Sequence, residues 1–459
     1  MTAGLQELEK IWTEGKCMPD VRARGGQGMW RRRSCGEVVL ALVFVLSVGA
    51  FLWGGRSDGR YGDFAPVYGS ARCILSGCDP YSLPEVKAEL LAHGMNPDHT
   101  GPEYWKDHAL LYPPLTYYLF APIAFLSYPA AGLVTFWISA GAFIAACLMT
   151  ILLCPPIARR VVVVGVSAVL VTSGGLLRLG QPSTLVLGLL VAGSLLFLDR
   201  RHPRYAAVLF LMAAGVKPQL VLPVLIYFCL TRATRKHALA ALAGFVVASA
   251  AAGVALACQP GSDHWVSELR AEVSAAVPAG PEARIDTGIV NLEGFTSLVS
   301  GNPLIYETVD WIVFAALMVM LGMGFFRAQA GWERDWVGVA ALAFLTLLLT
   351  YHRSYDMRIQ ILSFPALGML WRRSRKLAGA ISVLNCLLLF STSIILLRGL
   401  VAHFGSAIEH RLWFRLFIER QQAVAVLLAA LLWAFASVAV KWQGNEARWT
   451  RASGDQAAE

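Results

Sequence analysis

The sequence predicts an all-α, polytopic integral membrane protein, and three observations carry that reading. The 459 residues are 56% hydrophobic and only 15% charged, whereas soluble domains are about half apolar and about a quarter charged. Apolar runs approaching the ~20 residues that span a hydrocarbon core recur along nearly the whole chain. The net charge is +9, and its basic residues gather in short turns between the apolar runs, the pattern of cytoplasmic loops rather than of a nucleic-acid surface. No length is left over for a large soluble domain.

Residues 1–36 carry Lys10, Lys16, Arg22, Arg24, Arg31, Arg32 and Arg33 with little apolar content, so they read as a cytoplasmic basic tail. No small-residue cleavage site follows the first apolar run, which argues against a cleavable signal. The membrane domain is expected over 37–441, beginning with a span from Glu37 to Trp53, and 442–459 form a second cytoplasmic tail. The loop 54–111 then falls outside. Its stretch SLPEVKAELLAHG is short and amphipathic enough to lie along a membrane surface. Cys73 and Cys78 share this loop; an oxidising compartment allows them to pair. The other cysteines sit in the tail or in apolar runs, as small buried hydrophobes do.

From Tyr112 the chain reads YPPLTYYLFAPIAFLS, where Pro113 and Pro114 suit a helix start because the first turn has no use for their missing donor. Further apolar runs at about 130–154, 161–177, 183–198, 204–216, 219–231, 237–258, 308–326, 336–350, 358–371, 377–397 and 421–440 bring the expected total to about 11–13 spans. The turns DRRHPR at 199–204, RATRKH at 232–237 and WRRSRK at 371–376 are placed inside. The loop 259–307 is strongly acidic and is placed outside, as is 398–420. Counting from the two ends clashes in parity before residue 199, so one segment between 112 and 198 must fail to cross or fold back.

Four polar features converge on the outer face in this arrangement. The first loop carries Asp63 and Asp79 among aromatics and glycines, in YGDFAPVYGSARCILSGCDPY. A carboxylate held beside a helix end at the membrane surface can take a proton from a hydroxyl. For Asp63 a solvated loop acid is the plain alternative; for Asp79 it is turn chemistry, because DPY fixes a bend. The second is Lys217 in GVKPQL, a cation between two short apolar runs that calls for an anion, a water-filled cavity or a snorkelling route to the headgroups.

The third is YHRSYDMR, which places His352, Arg353, Tyr355, Asp356 and Arg358 in one turn suited to phosphate neutralisation and sugar hydrogen bonding. The fourth, RLGQPS, offers Gln181, whose amide both donates and accepts. The segment EHRLWFRLFIER, 409–420, has the spacing of an interfacial anchor. No nucleotide-cradling GxxxxGK[ST] loop, HExxH or GxSxG occurs, which argues against nucleotide hydrolysis and against common membrane proteases and lipases. Metal-ligand spacing of the CxxC kind is also missing.

Taken in order, GDFAPVYGSA, GCDPY, LYPPLTYYLFAPIAFL, LGQPSTLVLGLL and AAGVKPQLVLPVL resemble glycosyltransferase family 87, the polyprenol-phosphate-mannose-dependent mannosyltransferases of the multi-spanning GT-C class. The resemblance covers about 61–231, with a further correspondence at 351–358. It implies a GT-C helical bundle in the bacterial cytoplasmic membrane, with the active site under the first external loop. It also implies that Asp63 is the general base of an inverting single displacement. Lys217, Arg353 and Arg358 would bind the donor phosphate, and Asp79, Tyr81, Tyr112, Gln181, His352, Tyr355 and Asp356 the substrates. The partners implied are a polyprenyl-phosphate sugar and a lipid or glycan acceptor, with no cofactor or metal. A transporter of a lipid-linked sugar or other solute, or a non-catalytic scaffold, would also fit many charged residues among helices. The transporter would need its site open to both faces.

Overall fold

In the computed structural model of the chain, the described residues are 35–56, 61–97, 110–276, 290–328, 331–349, 352–390, 399, 402–403, 405 and 411–442. The tail up to residue 34, the tail beyond Trp442 and parts of the loops 54–111, 259–307 and 398–420 lie outside them. Among the described residues there is no strand, and the framework is helical throughout. In chain order the principal helices are α1 (Cys35–Gly54), α2 (Ala65–Ser76), α3 (Leu83–Ala92), α4 (Pro114–Ala124), α5 (Tyr128–Leu153), α6 (Arg159–Arg178), α7 (Pro182–Asp199) and α8 (Pro203–Val216). They continue as α9 (Pro218–Leu230), α10 (Arg235–Ala257), α11 (Trp265–Ala276), α12 (Pro303–Arg327), α13 (Trp332–Leu349), α14 (Phe364–Arg373), α15 (Arg375–Phe390) and α16 (Gln421–Ala439).

Seven of these, α1, α5, α6, α7, α10, α12 and α16, are long and apolar enough to cross a membrane. Burial separates their roles. The best apolar window of α7 is 72% buried, against 11% for α1 and 17% for α10 and α12. Thus α7 is the central post, and those three turn most of their apolar surface to lipid. The helix α4 has 11 residues and an interior Pro122. At 1.5 Å per residue it is about 16 Å long, too short to cross a ~30 Å core. That gives a physical reason for the parity clash. The pair α8 and α9, about 20 Å each, meet end to end at Lys217.

One apolar run takes a different form from the helix its composition suggests. Where 358–371 reads as a single span, the chain makes a buried 3-10 stretch, Ser354–Ser363, and then the short helix α14. Charged Asp356 and Arg358 lie inside that buried stretch, and their side-chain bonds to other segments hold it in place, as described below.

The central post depends on a glycine. A Cβ at Gly188 of α7 would lie 2.7 Å from the backbone carbon of Ala142 and 2.8 Å from the Phe143 nitrogen on α5. Gly188→Ala gains about 1 kcal/mol in helix propensity, but overpacking against backbone costs about 1–3 kcal/mol. It should therefore lower the thermal unfolding temperature. Gly141→Ala, on α5 where a Cβ meets nothing within 4 Å, should raise it or leave it unchanged.

One end of the bundle is capped by α2, α3 and α11. The disulfide Cys73–Cys78 closes the end of α2, and Gln259 Nε2 donates to the carbonyls of both cysteines, at 3.0 and 3.2 Å. Tyr68 donates to the Leu126 carbonyl (2.7 Å) and Tyr128 to the Tyr61 carbonyl (2.9 Å), so the first loop is stitched to the start of α5. The stretch read as a surface helix, α3, buries Val86 and Leu90 against Gly69 of α2.

Candidate active site

Asp63 sits in a single 3-10 turn, Gly62–Phe64, that leads into α2. Its backbone N–H donates to the Leu179 carbonyl at 2.9 Å, joining this turn to the LGQPS turn between α6 and α7. Only a residue without Cβ fits at Gly180: its φ is +69°, and a Cβ would lie 3.0 Å from the Cβ atoms of both Tyr61 and Phe64. Pressed together in this way, the two turns bring the Gln181 amide to the Asp63 carboxylate. Nε2 donates to Asp63 Oδ2 at 2.6 Å.

The other end of Gln181 accepts from the Tyr112 hydroxyl at 3.2 Å. Burial, with Asp63 and Asp356 adding to it, pushes the Tyr112 hydroxyl well above the usual phenol range. It therefore stays protonated and donates, which orients the Gln181 amide with its N–H toward Asp63. The Tyr112 carbonyl in turn accepts from Tyr81 at 2.7 Å. Tyr81 packs edge-on to Tyr117 and stacks on Trp265 of α11.

A second cluster forms at the junction of α8 and α9. Thr116 Oγ1 of α4 donates to the Gly215 carbonyl at 3.0 Å, which holds the end of α8. Lys217 Nζ then donates to Asp356 Oδ2 at 2.5 Å and to Ser183 Oγ at 3.1 Å, and lies 5.0 Å from the centre of the Tyr355 ring. The same carboxylate oxygen meets His352 Nδ1 at 3.1 Å and accepts from the Arg353 backbone N–H at 3.4 Å. Burial alone would raise Asp356, but Lys217 and His352 hold it down at about 2, so it is a carboxylate. The returning end of the loop 259–307 closes over it, with Val290 N–H donating to the His352 carbonyl at 2.7 Å.

The two clusters lie within electrostatic reach of one another. The Asp63 charge acts on Lys217, Tyr112 and Tyr355, and the Arg353 charge acts on the same three groups. Asp63, Tyr112, Gln181, Lys217, His352, Arg353, Tyr355 and Asp356 therefore belong to one polar site. Asp79 and Arg358 do not touch it. Asp79 Oδ1 accepts from Tyr81 N–H at 3.0 Å and from Ser262 Oγ at 3.3 Å, so it fixes the DPY bend against the loop 259–307. Glu268 lies beside it, pushed up by burial and by Asp79. Arg358 donates to Ser173 Oγ (3.2 Å), the Thr172 carbonyl (3.1 Å) and the Leu388 carbonyl (3.3 Å), clamping α6 to α15. Tyr81 reaches the site through the Tyr112 backbone.

With an acid within electrostatic reach of a cation cluster, the acid can activate a hydroxyl while the cations neutralise a phosphate. The profile of glycosyltransferase family 87 matches residues 110–350, more than half of the chain. The chain belongs to glycosyltransferase family 87. It is thus a membrane glycosyltransferase, which joins a sugar donor to an acceptor. No curated protein matches it. The matched stretch contains Tyr112, Gln181 and Lys217 of this family 87 enzyme, whereas Asp63 precedes it and His352 to Asp356 follow it.

Sequence reasoning missed Ser183, Gln259 and Ser262. A serine two residues after Gln181 on a helix start carries no distinguishing signal, and the other two are ordinary loop polar residues until the fold places them. Their structural role gives a test. Tyr81→Phe leaves the Tyr112 carbonyl without its donor, which costs about 1–3 kcal/mol if no water replaces it. Thermal unfolding of the purified enzyme should register that loss, with the Trp265 stacking retained.

Proposed function

We propose that this family 87 glycosyltransferase moves a hexose, most simply mannose, from a polyprenyl-phosphate donor to a lipid or glycan hydroxyl at the outer face of a bacterial cytoplasmic membrane. The observation that carries the reading is the approach of the Asp63 carboxylate to the Lys217, Asp356, His352 and Arg353 cluster. In one displacement the acceptor oxygen forms a bond to the anomeric carbon as the bond from that carbon to the phosphate oxygen breaks. Asp63, whose Oδ2 accepts from Gln181, takes the hydroxyl proton. The electron pair of the broken bond leaves on the polyprenyl phosphate, and attack opposite that phosphate inverts the anomeric centre.

Charge on the phosphate grows as the bond breaks, which is where fixed cations lower the barrier. Lys217 is balanced and oriented by Asp356, and Arg353 adds a second cation beside it. Tyr112 and Tyr355, beside the base and the cations, are the candidate hydrogen-bonding partners for the sugar, and His352, buried against Asp356, supports that carboxylate. The outer-face assignment is supported by the Cys73–Cys78 disulfide, a bond of oxidising compartments, in the loop that carries Asp63.

The test is transfer of radiolabelled mannose from polyprenyl-phosphate-mannose to membrane acceptors by the purified enzyme, with nucleotide-activated mannose alongside. Transfer from the lipid donor alone is expected. Transfer only from the nucleotide sugar would overturn the donor assignment.

A further inference from the structure

The opposite end of the bundle carries a basic groove that the transfer reaction does not use. It opens between the start of α15 and the end of α16, with a volume of about 790 Å³. Its walls are apolar, formed by Leu377, Phe435 and Ala439, and its rim is cationic, formed by Arg373, Lys376 and Lys441. Phe435 is 53% exposed, on a helix long and apolar enough to span the bilayer, so this wall faces lipid. Lys441 lies just past the end of that helix, at the level where headgroups begin.

Three cations around an apolar floor repel one another, and among the described residues only Arg373 meets a carboxylate. Arg373 pairs with Glu333 at 2.7 Å and donates to the Lys441 carbonyl at 2.6 Å, which fixes the end of α16 and the position of Lys441. Among the described residues, neither Lys376 nor Lys441 meets a carboxylate. Within the described residues the groove therefore offers two ammonium groups without a carboxylate partner above a hydrocarbon-lined slot. An occupant must supply both a negative group and an apolar chain.

We infer that this groove binds an anionic glycerophospholipid of the leaflet opposite the active site, its phosphate between Lys376 and Lys441 and an acyl chain along Leu377 and Phe435. A soluble phosphate would gain nothing from the apolar walls, and a zwitterionic lipid would bring a cation toward the lysines. Basic grooves between helix ends are the general solution for holding anionic headgroups, at a strength of roughly fivefold in affinity for each lysine near the surface.

The experiment uses the full-length protein in mixed micelles. Binding of phosphatidylglycerol and of phosphatidylcholine is measured by native mass spectrometry, in the wild type and in Lys376→Gln, Lys441→Gln and the double variant. Arg372→Gln is the charge-matched control, because Arg372 lies beside the groove in sequence but does not line it. The expected result is selective retention of phosphatidylglycerol, weakened roughly fivefold by each lysine change and more than tenfold by both, with Arg372→Gln close to wild type. Equal weakening by Arg372→Gln would mean diffuse surface charge and would overturn the site. So would equal retention of phosphatidylcholine, or displacement of the lipid by glycerol 1-phosphate at equal concentration. Both lysines are exposed, so unfolding temperatures without added lipid should match wild type and keep the comparison interpretable.

Discussion

Asp63→Asn is expected to remove sugar transfer while leaving the folded protein intact. The amide keeps the shape of the carboxylate, and its oxygen can still accept from Gln181 Nε2, the 2.6 Å bond that ties the turn before α2 to the start of α7. What it cannot do is hold the acceptor proton. Loss of a general base costs about 10²–10⁴ in rate, so the initial rate at matched protein should fall by at least two orders of magnitude with an unchanged unfolding temperature. Asp79→Asn is the internal comparison. The Asp79 oxygen accepts from Tyr81 N–H and Ser262 Oγ, and an amide oxygen can accept both, so transfer should stay within a few-fold of wild type. Equal rates in wild type and Asp63→Asn would remove Asp63 from the chemistry; equal losses in the two variants would mean that loop integrity, not proton transfer, is what both acids provide.

The long spans were legible because an apolar run bounded by proline, or by a basic turn, needs no tertiary information. The run 183–198 appears as Pro182–Asp199 and the run 237–258 as Arg235–Ala257. The stretch 358–371 was not legible as a 3-10 segment. Apolar content cannot distinguish a spanning helix from a buried turn whose charges are satisfied elsewhere, and Arg358 finds its acceptors 185 residues away on α6. The same distance problem governs the site. Tyr112, Gln181, Lys217 and Asp356 could each be nominated from residue type and motif order, but not their pairing. Gln181 meets Asp63 across 118 residues and Lys217 meets Asp356 across 139. A lysine between two short apolar runs called for an anion, a water-filled cavity or a route to the headgroups; the fold shows that the chain supplies the anion, Asp356.

That pairing leads to the other large effect. Lys217 and Asp356 are both buried, at 8% and 0% side-chain exposure. Removing one partner of a buried pair strands a charge, at about 3–5 kcal/mol, while replacing both by apolar groups is often close to neutral. Lys217→Met and Asp356→Leu should each lower the unfolding temperature markedly, and the double variant should recover most of that loss. The pH dependence has a definite sign. The Asp356 pKa is lowered from 3.8 to about 2 in the fold, so its stabilising contribution is present above pH 3.8 and is lost as pH falls toward 2. The double variant should lack this acid-sensitive component. Transfer separates structure from chemistry: if Lys217 also faces the departing phosphate, the double variant regains its fold but not its rate. Recovery of both would make the pair purely structural and leave phosphate neutralisation to Arg353. Recovery of stability alone would place the Lys217 charge in the reaction, with Asp356 as the counter-charge that allows a lysine to stand at that depth.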